Sequence, residues 1–318
     1  MVAAWGSPEF VEMRRQRLAA GWLLAGGLSR RCITASAQSC AAATGSGAGS
    51  AQAVVRSTAA SGSQVYESSR AVDEYLLFHY GDAKDVMPYS CGPSDALDFP
   101  KRLADLCKSS NSGRRGRRAL DIGCSVGGSA FELSRHFDQV VGVDFSQHFI
   151  DAANDLKANG TRKFEMMKQG QIFVTREAKV SADVDRSRVQ FKQGDACNLD
   201  PSLGQFDVIL ASNLLCRLPS PRKFIERVPD FLSPGGRLVL VSPYSWLQEY
   251  TADVGEWFGA QLDANGQPID SFVALKDFIG SKKLPLKLLS EQDTSFLIRE
   301  HERKFQYGVS HVTIWERL

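Results

Sequence analysis

A chain of 318 residues, 43% hydrophobic and 23% charged, has enough apolar mass for a sizeable core and length for one or two domains. Its net charge of +2 provides no electrostatic footprint for nucleic acid or a membrane surface, and no apolar run reaches the roughly 18 residues of a membrane span. The seven cysteines (32, 40, 91, 107, 124, 197 and 216) show no metal-type spacing, which suits a reducing compartment and gives no reason to expect a bound metal.

Residues 1–64 differ in composition from the rest. Between Met13 and Gln64 there is no Asp or Glu, while Arg14, Arg15, Arg17, Arg30, Arg31 and Arg56 are spread among Ala, Ser and Gly. That is the composition of a transit peptide followed by a linker, so we expect import into a mitochondrion or plastid, or a cytoplasmic protein if the segment has no such role. Gly6-Ser7-Pro8-Glu9-Phe10 also reads as a cloning remnant, in which case Met13 would be the natural start. Residues 65–318 then form the folded domain, beginning with a cap over 65–114. In VDEYLLFHYG, Val72, Tyr75, Leu76 and His79 recur at helical spacing up to Gly81. Tyr75, His79 and Tyr80 join apolar bodies to polar tips and are candidates to line a small-molecule site. A second helix, N-capped by Ser94 or Asp98, runs to Cys107. Ser109 to Arg117 reads as a solvated basic loop.

The stretch RALDIGCSVGGSAFELSRHFDQVVGVDFS, from Arg118 to Ser146, organises the rest. An apolar run ends in Gly123-Cys124-Ser125-Val126-Gly127-Gly128, a helical pattern follows, and a second apolar run ends on Asp144. Strand, glycine turn, helix, strand predicts a parallel βαβ unit. Glycines allow close backbone approach to a ligand, and an acid at the tip of the second strand suits the two hydroxyls of a ribose. The glycine spacing does not fit the Gly-x-Gly-x-x-Gly of dinucleotide sites, which disfavours a dehydrogenase.

Gln147 to Asn159 is expected to be helical and to end at Gly160. Residues 161–188 are charged, weakly periodic and longer than an ordinary connection, so we expect an insertion, a hairpin around Gly170, without chemistry. Short strands follow at Val189 to Phe191, Phe206 to Ala211 and Leu238 to Ser242, with a helix from Pro221 to Leu232 and a sharp turn at Pro234-Gly235-Gly236. Asp195 and Ala196 follow the third strand and Asn213 the fourth, where open α/β sheets bind ligands. Tyr244 and Trp246 follow the fifth at the same rim, so both become site candidates, with simple ring packing as the alternative. Residues 287–289, 296–298 and 309–315 supply closing strands, and Arg299, Glu300, Arg303 and Lys304 a solvated face.

Two resemblances follow from these residues. With Asp121 two residues before Gly123, and with five motifs in order over roughly residues 115–318, the chain resembles the class I S-adenosylmethionine (SAM)-dependent methyltransferases. The family's Gly-x-Gly-x-Gly has Ser125 as its middle member here. More closely, VDEYLLFHYG, PYSCGPSDALDFPKR, ALDIGCSVGGSAFELSRHFD, VVGVDFSQHFIDAAN, FKQGDACNL and SPYSWLQEYT resemble the C-terminal methyltransferase domain of OvoA, the ovothiol biosynthesis enzyme, over about residues 66–318. The resemblance implies a Rossmann-like α/β fold with a mostly parallel sheet. It implies SAM as cofactor, held by Asp121, Gly123, Cys124, Ser125, Gly127, Asp144, Phe145, Asp195, Ala196 and Asn213. It also implies transfer of a methyl group to an imidazole ring nitrogen of a mercaptohistidine. If a base takes part, His79, Tyr75 or Tyr80 is nearest by position. The family's sulfoxide-synthase domain and its iron site have no counterpart in this chain, so a separate synthase is expected to supply the thiol. The alternatives are methylation of another small molecule, transfer to sulfur instead of nitrogen, and a non-catalytic SAM-binding role.

Overall fold

The computed structural model describes residues 66–108 and 117–318. The targeting reading of 1–64 and the basic loop at 109–116 lie outside them. The centre of the domain is a seven-stranded sheet. Its strands β1 (Arg118–Ile122), β2 (Gln139–Asp144), β5 (Val189–Gln193), β6 (Phe206–Ser212) and β7 (Leu232–Ser242) are parallel. The long antiparallel hairpin of β10 (Leu286–His301) and β11 (Lys304–Arg317) joins β7 through β11. In space the order is β10-β11-β7-β6-β1-β2-β5. The chain moves from β1 outward through β2 to β5, then returns to lay β6 on the other side of β1. The loops after β1 and β6 therefore diverge, and a crevice opens at the carboxyl ends of the strands.

Strict alternation in these strands tells why both faces are covered. Ala119, Val140, Val208, Leu210, Val239 and Val241 belong to one buried layer, and Leu120, Ile122, Val141, Val143, Ile209, Ala211, Leu238 and Leu240 to the other. Side chains point alternately to the two faces of a strand, so apolar residues at every position require a cover on each side. The first layer is covered by α1 (Ser69–Tyr80), α3 (Phe99–Leu106), α4 (Gly128–Leu133) and α5 (Gln147–Asn159), with the short α2 (Ala83–Val86) beside them. The second is covered by α6 (Pro221–Arg227) and α7 (Ser271–Ser281). The Rossmann-like architecture expected from the sequence is what the chain adopts.

Helix ends follow the local chemistry. Ser68 caps α1 by accepting from the Ala71 amide, and Ser146 caps α5 by accepting from that of Phe149. Gly160 ends α5 at φ +78°, a left-handed conformation that glycine adopts without a steric penalty. The segment after α5 is a hairpin of β3 (Thr161–Gln169) and β4 (Ile172–Lys179) turning at Gly170.

Three expectations need correction. The Pro234-Gly235-Gly236 turn is an irregularity within the single strand β7: pairing with β6 shifts register between Phe206 and Val208. Residues 287–289 and 296–298 are not separate strands but parts of β10, because β11 supplies a partner along nearly its whole length. Arg299 is not on a solvated face; it is 4% exposed and donates from Nη1 to the Asp85 carbonyl. A long side chain at a strand edge can lie under neighbouring helices when a carbonyl meets its charge.

Candidate functional site

A cavity of about 770 Å³ opens at the crevice between β1 and β6. Its floor is the turn after β1. There Gly123 (φ +76°), Ser125 (φ +50°) and Gly127 (φ +87°) all adopt left-handed backbone, which curls the chain so that the Ser125 amide reaches Asp144 Oδ2 at 2.8 Å. The other oxygen of Asp144 accepts from the Ser146 amide at 2.9 Å. Gly127 has no room for a side chain, since a Cβ would come within 2.5 Å of the Phe191 ring. Ser125 holds a conformation that costs an L-residue roughly 1 kcal/mol, and its buried hydroxyl has no hydrogen-bond partner within the protein. Ser125→Gly is therefore expected to raise unfolding stability by up to about 1 kcal/mol, measured by urea denaturation, with SAM affinity unchanged. A loss of SAM affinity would instead assign the hydroxyl to the ligand.

Two carboxylates dominate the electrostatics. Asp121 is 2% exposed, and burial, reinforced by the neighbouring charge of Asp144, pushes its pKa up to about 7. Burial likewise raises Asp144 to about 6, against the opposing hydrogen bonds from the amides of Ser146 and Ser125. Asp121 Oδ2 is buried with no partner. A carboxylate so placed lacks a donor, and an ammonium group would supply one. The residues present thus fit SAM: Asp121 would take the ammonium of its methionine part, and Asp144 the ribose hydroxyls.

Of the residues expected from the sequence, Tyr75, His79, Asp121, Gly123, Cys124, Ser125, Asp144, Phe145, Asp195, Ala196 and Asn213 all line this cavity. Phe145 is 59% exposed, and Asp195 holds the following turn by accepting from the Cys197 amide. Asn213 (φ +51°) accepts from the Ser310 hydroxyl on β11 at 2.7 Å. Four expected residues lie elsewhere. Gly127 belongs to the turn but faces away from the cavity, against the Phe191 ring. Tyr80, next to His79, faces another side of α1 and donates to the Val126 carbonyl at 2.7 Å. Tyr244 turns away at φ +50° to pair with His311, 3.2 Å from its Nδ1. Trp246 is buried against Trp257 and donates to Ser271 Oγ. For both rings after β7, packing is what the structure shows.

His79 donates nothing to the floor; its Nδ1 accepts from the Gly128 amide at 3.1 Å. That bond fixes the proton of the neutral ring on Nε2, and burial lowers its pKa to about 3. His79 therefore serves as a neutral hydrogen-bonding group. Sequence reasoning missed Tyr66, Arg217 and Tyr250. Tyr66 meets Tyr75 edge-on (6.0 Å between centroids) and stacks with Tyr250 (6.3 Å). The Arg217 guanidinium lies 4.6 Å from the centre of the Tyr250 ring. Burial raises the Tyr66, Tyr75 and Tyr250 phenols to about 12, so all three stay protonated at neutral pH.

Residues 120–238 match the family described as "Methyltransferase domain". Among characterised proteins, the chain is 32% identical over 140 residues to 27-O-demethylrifamycin SV methyltransferase of Amycolatopsis mediterranei, covering 44% of this chain and 43% of that protein. It is 27% identical over 217 residues to methyltransferase GfsG of Streptomyces halstedii, covering 67% and 69%. The chain thus spans less than half of the first of these relatives. Among solved structures, magnesium protoporphyrin IX methyltransferase of Synechocystis, with bound S-adenosylhomocysteine (SAH), overlays with a TM-score of 0.48 at 15% identity, over 80% of this chain and 97% of that one. The matched segment runs from β1 into β7 and carries the glycine turn and both buried acids, so residues 120–238 are similar to a methyltransferase domain, and the chain has the Rossmann-like class I SAM-dependent methyltransferase fold.

Proposed function

We propose that this protein transfers a methyl group from SAM to a small-molecule acceptor, and that the acceptor is an imidazole ring nitrogen of a mercaptohistidine. The observation that carries the first part is the buried Asp121 carboxylate beside Asp144, with its Oδ2 left without a partner, opening on a cavity walled by aromatic rings. SAM, when bound, supplies a methyl group on a sulfonium that is already a good leaving group. What remains for the protein is alignment and exclusion of water. Tyr66 and Tyr75 of the cap and Tyr250 after β7 supply the rings that shield the cavity.

The second part rests on the sequence resemblance and on the kind of groups that line the cavity. His79 is neutral with Nδ1 occupied, and the phenols are protonated, so these side chains supply hydrogen bonds rather than a strong base. An imidazole made electron-rich by a ring thiolate needs no strong base to attack, and its surplus proton can leave after transfer. The thiol would be supplied by a sulfoxide synthase. Delivery to a mitochondrion or plastid belongs to the same reading, and a fluorescent fusion of residues 1–64 tests it by its location.

The decisive experiment is mass spectrometry of mercaptohistidine incubated with protein and SAM, with histidine in parallel. One methyl added to the thiol compound alone, placed on the ring by fragmentation, is the expected result. A methyl on sulfur, or no product despite SAM binding, would send the reading to another acceptor.

A further inference from the structure

The cavity carries one cationic side chain among its acids. Arg217 is the single lysine or arginine among the described residues lining it, against acids that include Asp121, Asp144, Asp195 and Glu256. Those acids suit the ammonium and sulfonium of the cofactor; Arg217 suits a carboxylate, and a loss of SAH affinity in Arg217 variants would give it to the cofactor's own carboxylate and overturn the inference. The guanidinium is half-buried and has no carboxylate partner among the ion pairs of the described residues. Nη1 donates to the Ser245 carbonyl at 2.8 Å, to that of Cys216 at 3.2 Å and to Cys216 Sγ at 3.5 Å, and the guanidinium carbon lies over the Tyr250 ring. The Tyr66 hydroxyl lies within hydrogen-bonding reach of both Arg217 and Tyr250. A fixed guanidinium with phenol hydroxyls beside it matches the geometry of a carboxylate, which accepts a forked pair of N–H bonds and a further O–H.

We propose that Arg217, assisted by Tyr66 and Tyr250, is a specificity-determining site for a carboxylate on the methyl acceptor. The acceptor class is then an amino acid or another small organic acid, oriented by its carboxylate at Arg217 so that the rest of the molecule projects toward the floor. The inference rests on the cavity being the acceptor site, but not on the acceptor being mercaptohistidine.

The test is calorimetry on the SAH-loaded protein with matched pairs: mercaptohistidine and its decarboxylated amine, histidine and histamine, and 3-(4-hydroxyphenyl)propanoate and 4-ethylphenol. In the wild type the carboxylate member of at least one pair binds roughly tenfold or more tighter, the worth of a charge-assisted pair. R217M removes that preference and R217K restores part of it, while SAH affinity, measured in the same variants, stays at the wild-type value and shows that the fold is retained. Equal affinity within every pair, no binding of any carboxylate, or a preference that survives R217M overturns the inference. If mercaptohistidine is not bound while another pair responds to Arg217, the mercaptohistidine reading fails and this one stands.

Discussion

Asp144→Ala abolishes detectable SAM binding while leaving the protein folded. Asp144 ties the glycine turn to the end of β2 through the Ser125 and Ser146 amides, and its carboxylate is the group placed to accept two ribose hydroxyls. A charged acceptor bound to two hydroxyls contributes about 3–6 kcal/mol, so loss of both bonds weakens binding by at least 100-fold. The fold survives because the strands and both apolar layers do not depend on this side chain. Removal of a buried carboxylate whose pKa is raised by burial even offsets part of the loss of the two amide contacts. Calorimetry with SAM, alongside circular dichroism of the variant, checks both halves. Unchanged affinity would remove Asp144 from the cofactor site.

Asp121→Asn gives opposite effects on binding and stability. In the free protein burial, reinforced by the charge of Asp144, pushes the Asp121 carboxyl up to about 7, well above the ordinary carboxylate range. A carboxyl with a raised folded pKa favours folding in its protonated state, so its contribution is fully present below about pH 4 and is lost as pH rises toward 7. Above pH 7 the free protein carries this buried charge at a cost on the order of 3 kcal/mol. Asparagine has no charge to bury, so Asp121→Asn raises the stability of the free protein most at pH 8 and by less than half as much at pH 5. The same change removes the counter-charge of the SAM ammonium and lowers affinity by roughly 10- to 100-fold. In the wild type, SAM binding weakens as pH falls from 8 to 6, because Asp121 takes up a proton; in the variant that slope flattens. Denaturation of the free protein at the two pH values and SAM titration across the range settle the matter. A variant less stable at pH 8 would mean that Asp121 is not ionised there at all.

The fold and the floor of the cavity were legible in the sequence, while of the polar and aromatic wall above it only Tyr75 and His79 were. The reason is locality. Asp121, Gly123 and Asp144 announce themselves because a strand end, a glycine turn and an acid recur within a short span, and each has a backbone reason to be there. Tyr66 and Arg217 have no such frame. Tyr66 stands at the start of the cap, before the helical spacing of α1 begins, and Arg217 lies in a single 3₁₀ turn, Leu215–Arg217, too short to show periodicity. Position at a strand end misled for Tyr244 and Trp246: it fixes where the backbone goes, but φ at Tyr244 and the Ser271 hydroxyl decide where the rings go. Tyr80 and His79 show the same limit on a helix, where adjacent side chains point about 100° apart and only one can face the cavity.

The β10–β11 hairpin also sets the order in which the molecule can be assembled. Its far half extends past β7 and holds the cap: Arg102 of α3 donates to the Thr294 hydroxyl and the Ser295 carbonyl, each at 2.6 Å, across separations of 192 and 193 residues. Arg299 reaches the carbonyl of Asp85 across a still longer separation of 214 residues. On a ribosome, the roof of the cavity is synthesised before the sheet and cannot close until Ser295 and Arg299 have emerged. The cap must wait, exposing Leu76 and Phe99, while the parallel strands form beneath it. A nascent chain arrested before β10 would thus have the floor of its binding site but no lid.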